Sequence, residues 1–184
     1  MKITSGIVKN RKIKSQNSVK VRPTLSRVKE SLFDIMNPYI ENSVFLDLYS
    51  GTGSIALEAL SRGAKRAIMI EQNVDAIKII IENVNNMGFE DVCRAYKNDV
   101  LRAIEILSNK KEMFDIIFLD PPYNEDLCLK TVDKVCKFGL LKDTGLIIVE
   151  HHKHEKLPEE IGNVKRVDER KYSNKTLSFY SKSE

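Results

Sequence analysis

Short apolar runs and helix-spaced apolar residues alternate along most of the chain. Residues 44–48 form the first run, a glycine-rich turn follows at 49–53, and apolar positions then recur at helical spacing over 55–60. Further strand-like runs fall near residues 67–71, 92–96, 114–119 and 145–150, with helical patterns between them. Because strands that alternate with helices favour parallel pairing, the sequence predicts an α/β fold with a mostly parallel sheet.

The two ends of the chain depart from this alternation. Val164 to Tyr172 and Thr176 to Tyr180 alternate polar and apolar residues on either side of a short polar turn, which predicts a C-terminal antiparallel hairpin. With this hairpin, we expect a sheet of seven strands. Met1 to Val21 alternates basic and apolar residues, a pattern typical of an ordered arm or of one or two short strands.

An accessory helix is expected between the arm and the first strand. Thr24 follows Pro23 and has the side chain of an N-cap, and apolar residues then repeat at helical spacing until the helix ends near Pro38. We therefore expect a small basic N-terminal arm over residues 1–22 and a single domain, which includes the accessory helix, over residues 23–184.

Composition restricts the class of protein. A chain of 184 residues suits one domain, and it contains neither an apolar run long enough to span a membrane nor a signal-peptide core, so we expect a cytoplasmic protein. The three cysteines form no CxxC pair, which favours reduced thiols. His151, His152 and His154 have no cysteine or acidic partner at ligand spacing, so we expect no metal.

Charge is unevenly distributed along the chain. Residues 1–30 contain nine basic residues and one acidic residue, whereas the remainder contains 21 basic and 25 acidic residues, within a net charge of +4. A basic end on a mildly acidic body indicates a polyanionic partner. The basic residues expected to contact its phosphates are Lys9, Arg11, Lys12, Lys14, Arg22 and Arg27.

The glycine-rich turn after the first strand is a candidate ligand site. Its residues 51–56 fit the dinucleotide pattern G-x-G-x-x-G/A, so a nicotinamide dinucleotide must be considered. Asp47 argues against it, because its carboxylate would repel a pyrophosphate by about 4 kcal/mol at a separation of about 4 Å. Unless Asp47 only caps the turn, it would attract a ligand with an ammonium group, such as S-adenosylmethionine. The residues expected around that cofactor are Asp47, Tyr49, Gly51, Thr52 and Gly53.

Two more acidic residues follow the second and third strands. Glu71 ends the second apolar run about twenty residues after the loop, where an acid is placed to hydrogen-bond a ribose hydroxyl. Asp99 follows the third run. It could cap the next helix or meet the adenine amino group of the cofactor, and both roles stay open.

The most specific motif is Asp120-Pro121-Pro122-Tyr123, at the end of the fourth strand. Each proline fixes φ and removes an N–H donor, so the turn is stiff and its carbonyl groups are free to accept hydrogen bonds. Asp120 and the Pro121 carbonyl could each accept a hydrogen of an exocyclic nucleobase amine and so aim its lone pair. Tyr123 could stack on the base. The alternative is a rigid strand-to-helix turn with an ordinary surface tyrosine.

With both motifs, the chain resembles the Rossmann-like class I methyltransferases that use S-adenosylmethionine. It is more closely similar to the 16S ribosomal RNA (guanine-N2) methyltransferases of the RsmD type. The residues most particular to that family fall in segments 22–30 and 60–64, and Val149-Glu150-His151 and residues 1–6 also match. Tyr49 stands where members of the family commonly have phenylalanine.

The resemblance implies transfer of a methyl group from S-adenosylmethionine to the N2 amine of a guanine in small-subunit ribosomal RNA. It implies that Asp47 and the loop glycines lie at the methionine end of the cofactor, Glu71 at the ribose and Asp99 at the adenine. Residues 120–123 would be catalytic and would hold the guanine. The expected partner is ribosomal RNA in an assembling small-subunit particle, and we expect the protein to act as a monomer.

Two other functions stay open. A DNA adenine-N6 methyltransferase uses a similar tetrapeptide, although such enzymes usually carry a separate target-recognition domain, for which 184 residues leave no room. A non-catalytic RNA-binding assembly factor could retain the same fold. The intact glycine loop and the intact tetrapeptide argue against that function.

Overall fold

Five helices and eight strands make up the part of the chain that the structure describes. The structure is a computed structural model that describes residues 1–15, 23–123 and 126–183, with side chains of the first helix from residue 27 onward. The helices are α1 (Pro23–Ile40), α2 (Ser54–Ser61), α3 (Val74–Met87), α4 (Val100–Asn109) and α5 (Leu127–Lys137). The strands are β1 (Val44–Leu48), β2 (Arg66–Glu71), β3 (Cys93–Lys97), β4 (Phe114–Leu119), β5 (Leu141–His152), β6 (Glu160–Ile161), β7 (Val164–Lys171) and β8 (Lys175–Lys182).

The direction in which the chain adds strands to the sheet reverses at β1, next to the glycine loop. The order is β3-β2-β1-β4-β5-β8-β7-β6, with parallel pairing from β3 to β5 and antiparallel pairing from β5 to β6. The chain winds outward from β1 through β2 and β3, and then crosses to β4 on the other side of β1. Open α/β sheets bind ligands outside the carboxyl ends of their strands at such a switch point.

Helices cover both faces of the sheet, and strand alternation decides which residues reach each face. Phe45, Phe118, Ile148 and Leu177 pack in the core formed with α1, α2 and α3, whereas their strand neighbours pack in the core formed with α4 and α5. The polar residues two positions away from the first group therefore lie on the α1–α3 face of the sheet; they are Asp47, Asp120, Glu150 and Lys175.

The α/β fold and the C-terminal hairpin are confirmed, and two details of the expected elements are wrong. The sheet has eight strands rather than seven, because the two residues of β6 pair with β7. Helix α1 begins at Pro23 and so places Thr24 in its first turn rather than at the N-cap, which agrees with the preference of proline for the first helical position. The helix ends near Pro38 as expected, at Ile40, whose side chain is buried.

The described part of the arm is ordered and packs against α2. Lys2 and Lys12 form an antiparallel bridge, and Ile3 and Ile13 are buried in the core. The turn between them contains Gly6, whose φ is +86° and where a Cβ would approach the Ser61 carbonyl oxygen to 1.7 Å. Residues 16–22, which complete the predicted arm, lie outside the described residues.

A buried carboxylate on α2 holds the arm in place. Glu58 is fully buried and accepts hydrogen bonds from the Thr4 amide, the Thr4 hydroxyl and the Ser5 amide. It also pairs with Lys29 of α1 at 3.0 Å and with Arg62 at 3.0 Å. Although burial favours the neutral acid, Lys29 and Thr4 outweigh it and keep the pKa of Glu58 below its ordinary value. The arm, α1 and α2 are therefore joined at one ionic cluster.

Composition led to two further expectations, one about the cysteine thiols and one about membrane-spanning helices. All three cysteines are free thiols, and Cys93 and Cys128 are buried. Burial raises the pKa of Cys93 to about 12, so this thiol stays protonated at neutral pH. In the described parts of the chain, no helix combines the length and the apolar character needed to cross a bilayer.

Candidate active site

The glycine loop between β1 and α2 has a left-handed backbone at three positions. The φ angles are 64° at Tyr49, 58° at Gly51 and 77° at Gly53. A Cβ on Gly53 would lie 2.8 Å from the Met69 sulfur, so a larger residue would have to displace the Met69 side chain of β2 as well as adopt an unfavourable φ. Ser50 fixes the start of the loop, since its hydroxyl donates to the Asp47 carbonyl at 2.7 Å.

Asp47 is a buried carboxyl group with an unsatisfied oxygen. It is 1% exposed, and its Oδ2 has no hydrogen-bond partner among the residues that the structure describes. The pKa of Asp47 is raised to about 8, mainly by burial; a hydrogen bond from the Ala56 amide opposes this rise, and the nearby Asp120 and Glu71 contribute to it. An unpaired buried carboxyl on a cavity wall is a site prepared for a cation or a hydrogen-bond donor.

A cavity of about 480 Å³ lies above the carboxyl ends of the parallel strands. The loop forms its floor, and α1 and the first residues of the arm form one wall. The ends of β4, β5 and β8 contribute the opposite wall. Of the predicted site residues, Asp47, Tyr49, Gly51, Thr52 and Asp120 line this cavity.

The two acidic residues at the ends of β2 and β3 do not line the cavity, and Glu71 is hydrogen-bonded to the loop. The Glu71 carboxylate accepts hydrogen bonds from the Gly51 amide at 2.9 Å and from the Asn73 amide at 2.8 Å. Asp99 caps α4, where its side chain accepts a hydrogen bond from the Arg102 amide at 3.0 Å. The capping role of Asp99 is thus confirmed, and its contact with adenine stays a prediction.

The tetrapeptide turns away from the sheet directly after β4. Asp120 faces the cavity, Pro121 is buried, and Pro122 is exposed. Tyr123 keeps 46% of its surface exposed, and its ring meets the edge of His152 at a centroid distance of 5.6 Å. An exposed aromatic ring three residues from a cavity-facing carboxylate is suited to stacking on a base that enters the cavity.

Sequence reasoning missed two charged residues of this wall. Glu150 and Lys175 line the cavity with Asp120; Lys175 pairs with Glu150, and its Nζ lies 3.9 Å from Asp120 Oδ2. Glu150 closes the apolar run 145–150, as Glu71 closes the run 67–71. Its position at the end of an apolar run could therefore have marked it as a candidate site residue. Lys175 follows the hairpin turn of two antiparallel strands, where no motif marks it.

The predicted phosphate-binding residues do not form one patch. Lys12 is exposed and bridges to Lys2, which lines the cavity. Arg11 instead donates to the Asn86 carbonyl, and Lys14 pairs with Glu82 at 2.6 Å, so both side chains are engaged with α3.

Two further residues of that prediction are exposed at different places. Arg27 lies on α1 beside the cavity-lining Val28. Lys9 belongs to the turn that contacts Ser61, at the opposite end of α2 from the glycine loop. The remaining residue, Arg22, lies outside the described residues.

A sheet of this order, with a glycine loop after β1 and an Asp-Pro-Pro-Tyr turn after β4 beside one cavity, defines the chain as a Rossmann-like methyltransferase. Comparison of the sequence with protein-family models also assigns the chain to a family. The model described as Conserved hypothetical protein 95 matches residues 1–181, and the chain belongs to this family.

Individual relatives match along most of the chain. It is 31% identical to the YlbH protein of Bacillus subtilis over 99% of both chains. It is 32% identical to ribosomal RNA small subunit methyltransferase D of Escherichia coli, over 86% of this chain and 78% of that protein. Among solved structures, the yhhF protein of Escherichia coli is 29% identical, with a TM-score of 0.87 and coverage of 100% of this chain and 98% of that chain.

Proposed function

We propose that this chain transfers the methyl group of S-adenosyl-L-methionine to the exocyclic N2 amine of a guanine in small-subunit (16S) ribosomal RNA. The observation that carries the proposal is that Asp120 shares one cavity with Asp47 and the glycine loop. A hydrogen-bond acceptor for an amine and a site for a cationic cofactor therefore lie side by side. The names of the relatives from Escherichia coli and Haemophilus influenzae, ribosomal RNA small subunit methyltransferase D, support the choice of RNA.

The residues around the loop fit this cofactor. The unsatisfied Oδ2 of Asp47 could accept a hydrogen bond from the ammonium group of its methionine part. Glu71, which now accepts from two backbone amides, has the acceptor oxygens that a ribose diol requires. Tyr49 and Thr52 would line the cofactor between these two ends, and Asp99 would lie near the adenine.

The tetrapeptide would supply the orientation that the amine needs. When bound, the cofactor would supply an electrophilic methyl group: the amine nitrogen would bond to the methyl carbon, the carbon–sulfur bond electrons would pass to sulfur, and the proton lost by nitrogen would pass to water. The carboxylate of Asp120 and the carbonyl of Pro121 would accept the two N–H groups of the amine. These acceptors would draw the nitrogen toward tetrahedral geometry, and the stiffness from Pro121 and Pro122 would keep them in place.

The basic arm, residues 1–22, would hold the RNA around the extruded base. Lys2 lines the cavity and Lys12 is bridged to it, and contacts of these lysines with phosphates could offset the few kcal/mol that base extrusion costs. Arg27, exposed on α1, could add a contact on the same side. We infer that the protein acts as a monomer in the cytoplasm, on an assembling small-subunit particle.

Tyr123 offers a direct test of base stacking at the proposed site. Tyr123→Ala should lower methyl transfer about 5- to 150-fold, the equivalent of the 1–3 kcal/mol that base stacking contributes, with little change in cofactor affinity. The measurement is transfer of labelled methyl groups to small-subunit ribosomal RNA or particles, followed by mass spectrometry of the nucleosides.

The matched control is Tyr39→Ala, because Tyr39 of α1 is also 46% exposed. It should retain the wild-type rate. Wild-type protein should produce N2-methylguanosine. A methylated adenine as the product would instead favour the DNA or RNA adenine reaction, and equal rates for the two alanine variants would remove Tyr123 from the site.

A further inference from the structure

Three charged side chains meet on the cavity wall where β4 and β5 end and β8 begins. Lys175 Nζ forms an ion pair with Glu150 and lies 3.9 Å from Asp120 Oδ2. The side chains of Lys175 and Glu150 are only 16% and 10% exposed. One cation is therefore shared by two carboxylates. The Lys175–Glu150 pair is poorly solvated, where charge interactions are strong, whereas the Asp120 side chain is 37% exposed toward the cavity.

We propose that Lys175 is a positioning residue for methyl transfer, whose ammonium group favours the ionised form of Asp120 and orients its carboxylate toward the target amine, while Glu150 anchors the lysine. The inference rests on the proposed function and assigns a role to the C-terminal hairpin, which lies outside both sequence motifs. Strand alternation makes the arrangement possible, because Lys175 and Glu150 lie on the same sheet face as Asp120.

The charges around Asp120 make its ionisation depend on this lysine. Asp47 faces it from β1, Glu150 from β5 and Lys175 from β8, with Tyr123 in its own turn and the Cys128 thiol on α5. Two further cations, Lys29 of α1 and Lys2 of the arm, line the same cavity.

These groups compete over the proton on Asp120. Burial and the Glu150 carboxylate raise the pKa of Asp120 to about 7, and Lys175 opposes them. A protonated Asp120 is a weaker acceptor for N–H groups, because its negative charge is lost. Without the lysine, Asp120 would take up a proton at a higher pH than in the wild type and would lose this function at neutral pH.

Two substitutions should move the pH dependence of methyl transfer in opposite directions. In Lys175→Met, the acidic limb of the profile of kcat against pH should shift to higher pH by about 1–2 units, the size expected for loss of a nearby opposite charge. In Glu150→Gln, the competing carboxylate is gone and the limb should shift to lower pH. Lys175→Arg should restore most of the wild-type profile.

The controls separate this role from general damage to the fold. Lys182→Met removes another lysine of β8, which pairs with the exposed Asp143 at 2.8 Å, and should leave the profile unchanged. Cofactor affinity of Lys175→Met should stay within about twofold of wild type, and kcat should fall more than KM rises. Limbs that coincide in wild type, Lys175→Met and Glu150→Gln would overturn the inference. Absence of methyl transfer by the wild-type protein would instead overturn the proposed function.

Discussion

Asp47 is the residue whose charge state links the cavity to its ligand. With a pKa of about 8, raised mainly by burial, its carboxyl group is mostly protonated at pH 7 in the free protein. A bound ammonium group stabilises the ionised form, so binding should drive the proton off. The isolated α-amino group of the cofactor titrates near pH 7.7–8.0 and is mostly charged at pH 7.

We expect S-adenosylmethionine binding at pH 7 to release up to about one proton from the wild-type protein. In Asp47→Asn, residue 47 has no carboxyl proton to lose, so this proton should not be released. The variant should bind the cofactor about tenfold or more weakly, the equivalent of a lost hydrogen bond between charged groups. Calorimetric titration in two buffers of different ionisation enthalpy measures both quantities.

The control for this titration is Asp143→Asn, because the Asp143 side chain is 94% exposed. It should match the wild type in affinity and in protons released. If Asp47→Asn also matched the wild type, Asp47 would be only a cap of the turn. If nicotinamide dinucleotide bound in place of S-adenosylmethionine, the choice of cofactor would be wrong.

At the level of single elements, the described part of the arm, residues 1–15, contributes to the wall of the cavity rather than forming a solvated tail. Its backbone is bound to Glu58, and two of its isoleucines are buried. Deleting the arm would therefore expose core residues as well as remove charge. Substitution of individual exposed lysines is the cleaner way to test whether the arm binds RNA.

We expect the double variant Lys2→Gln/Lys12→Gln to bind RNA more weakly and to show a flatter dependence of log affinity on log salt. The slope should fall by about 0.7 for each phosphate of single-stranded RNA that the variant no longer neutralises. The control is Lys65→Gln/Lys137→Gln, which removes the same charge from two exposed lysines next to the amino-terminal ends of β2 and β5. Equal salt slopes for the two double variants would show that the arm does not bind phosphates.

The elements that the sequence predicted well are those whose signals are local. The parallel strands follow from apolar runs, and α3 follows from its Asn73 cap and from Gly88, which adopts a left-handed conformation with φ of 72°. The missed features depend on pairing across the sheet. Strand β6 has only two residues, and β5 extends to His152 because β8 pairs with it there.

At the scale of the whole molecule, the residues of the candidate site also fall into two groups: those that a local motif predicts and those that tertiary packing brings to the cavity. The glycine loop and the tetrapeptide were predictable, because each is a continuous segment with its own backbone requirement. Lys175 and Lys2 were not predicted to line the cavity, because they reach it from opposite ends of the chain through tertiary packing. The spread of the predicted phosphate-binding residues has the same origin, since neighbours in sequence point to different surfaces once the arm folds back.

At the scale of the cell, the proposed reaction is methylation of the N2 amine of a guanine in small-subunit ribosomal RNA. The most direct measurement maps methylated nucleotides in ribosomal RNA from three matched strains: one with the protein, one without it, and one with Asp120→Ala. We expect one N2-methylguanosine in small-subunit RNA that is present in the first strain and absent or strongly reduced in the other two. Identical maps in all three strains, or loss of a different modification, would contradict it.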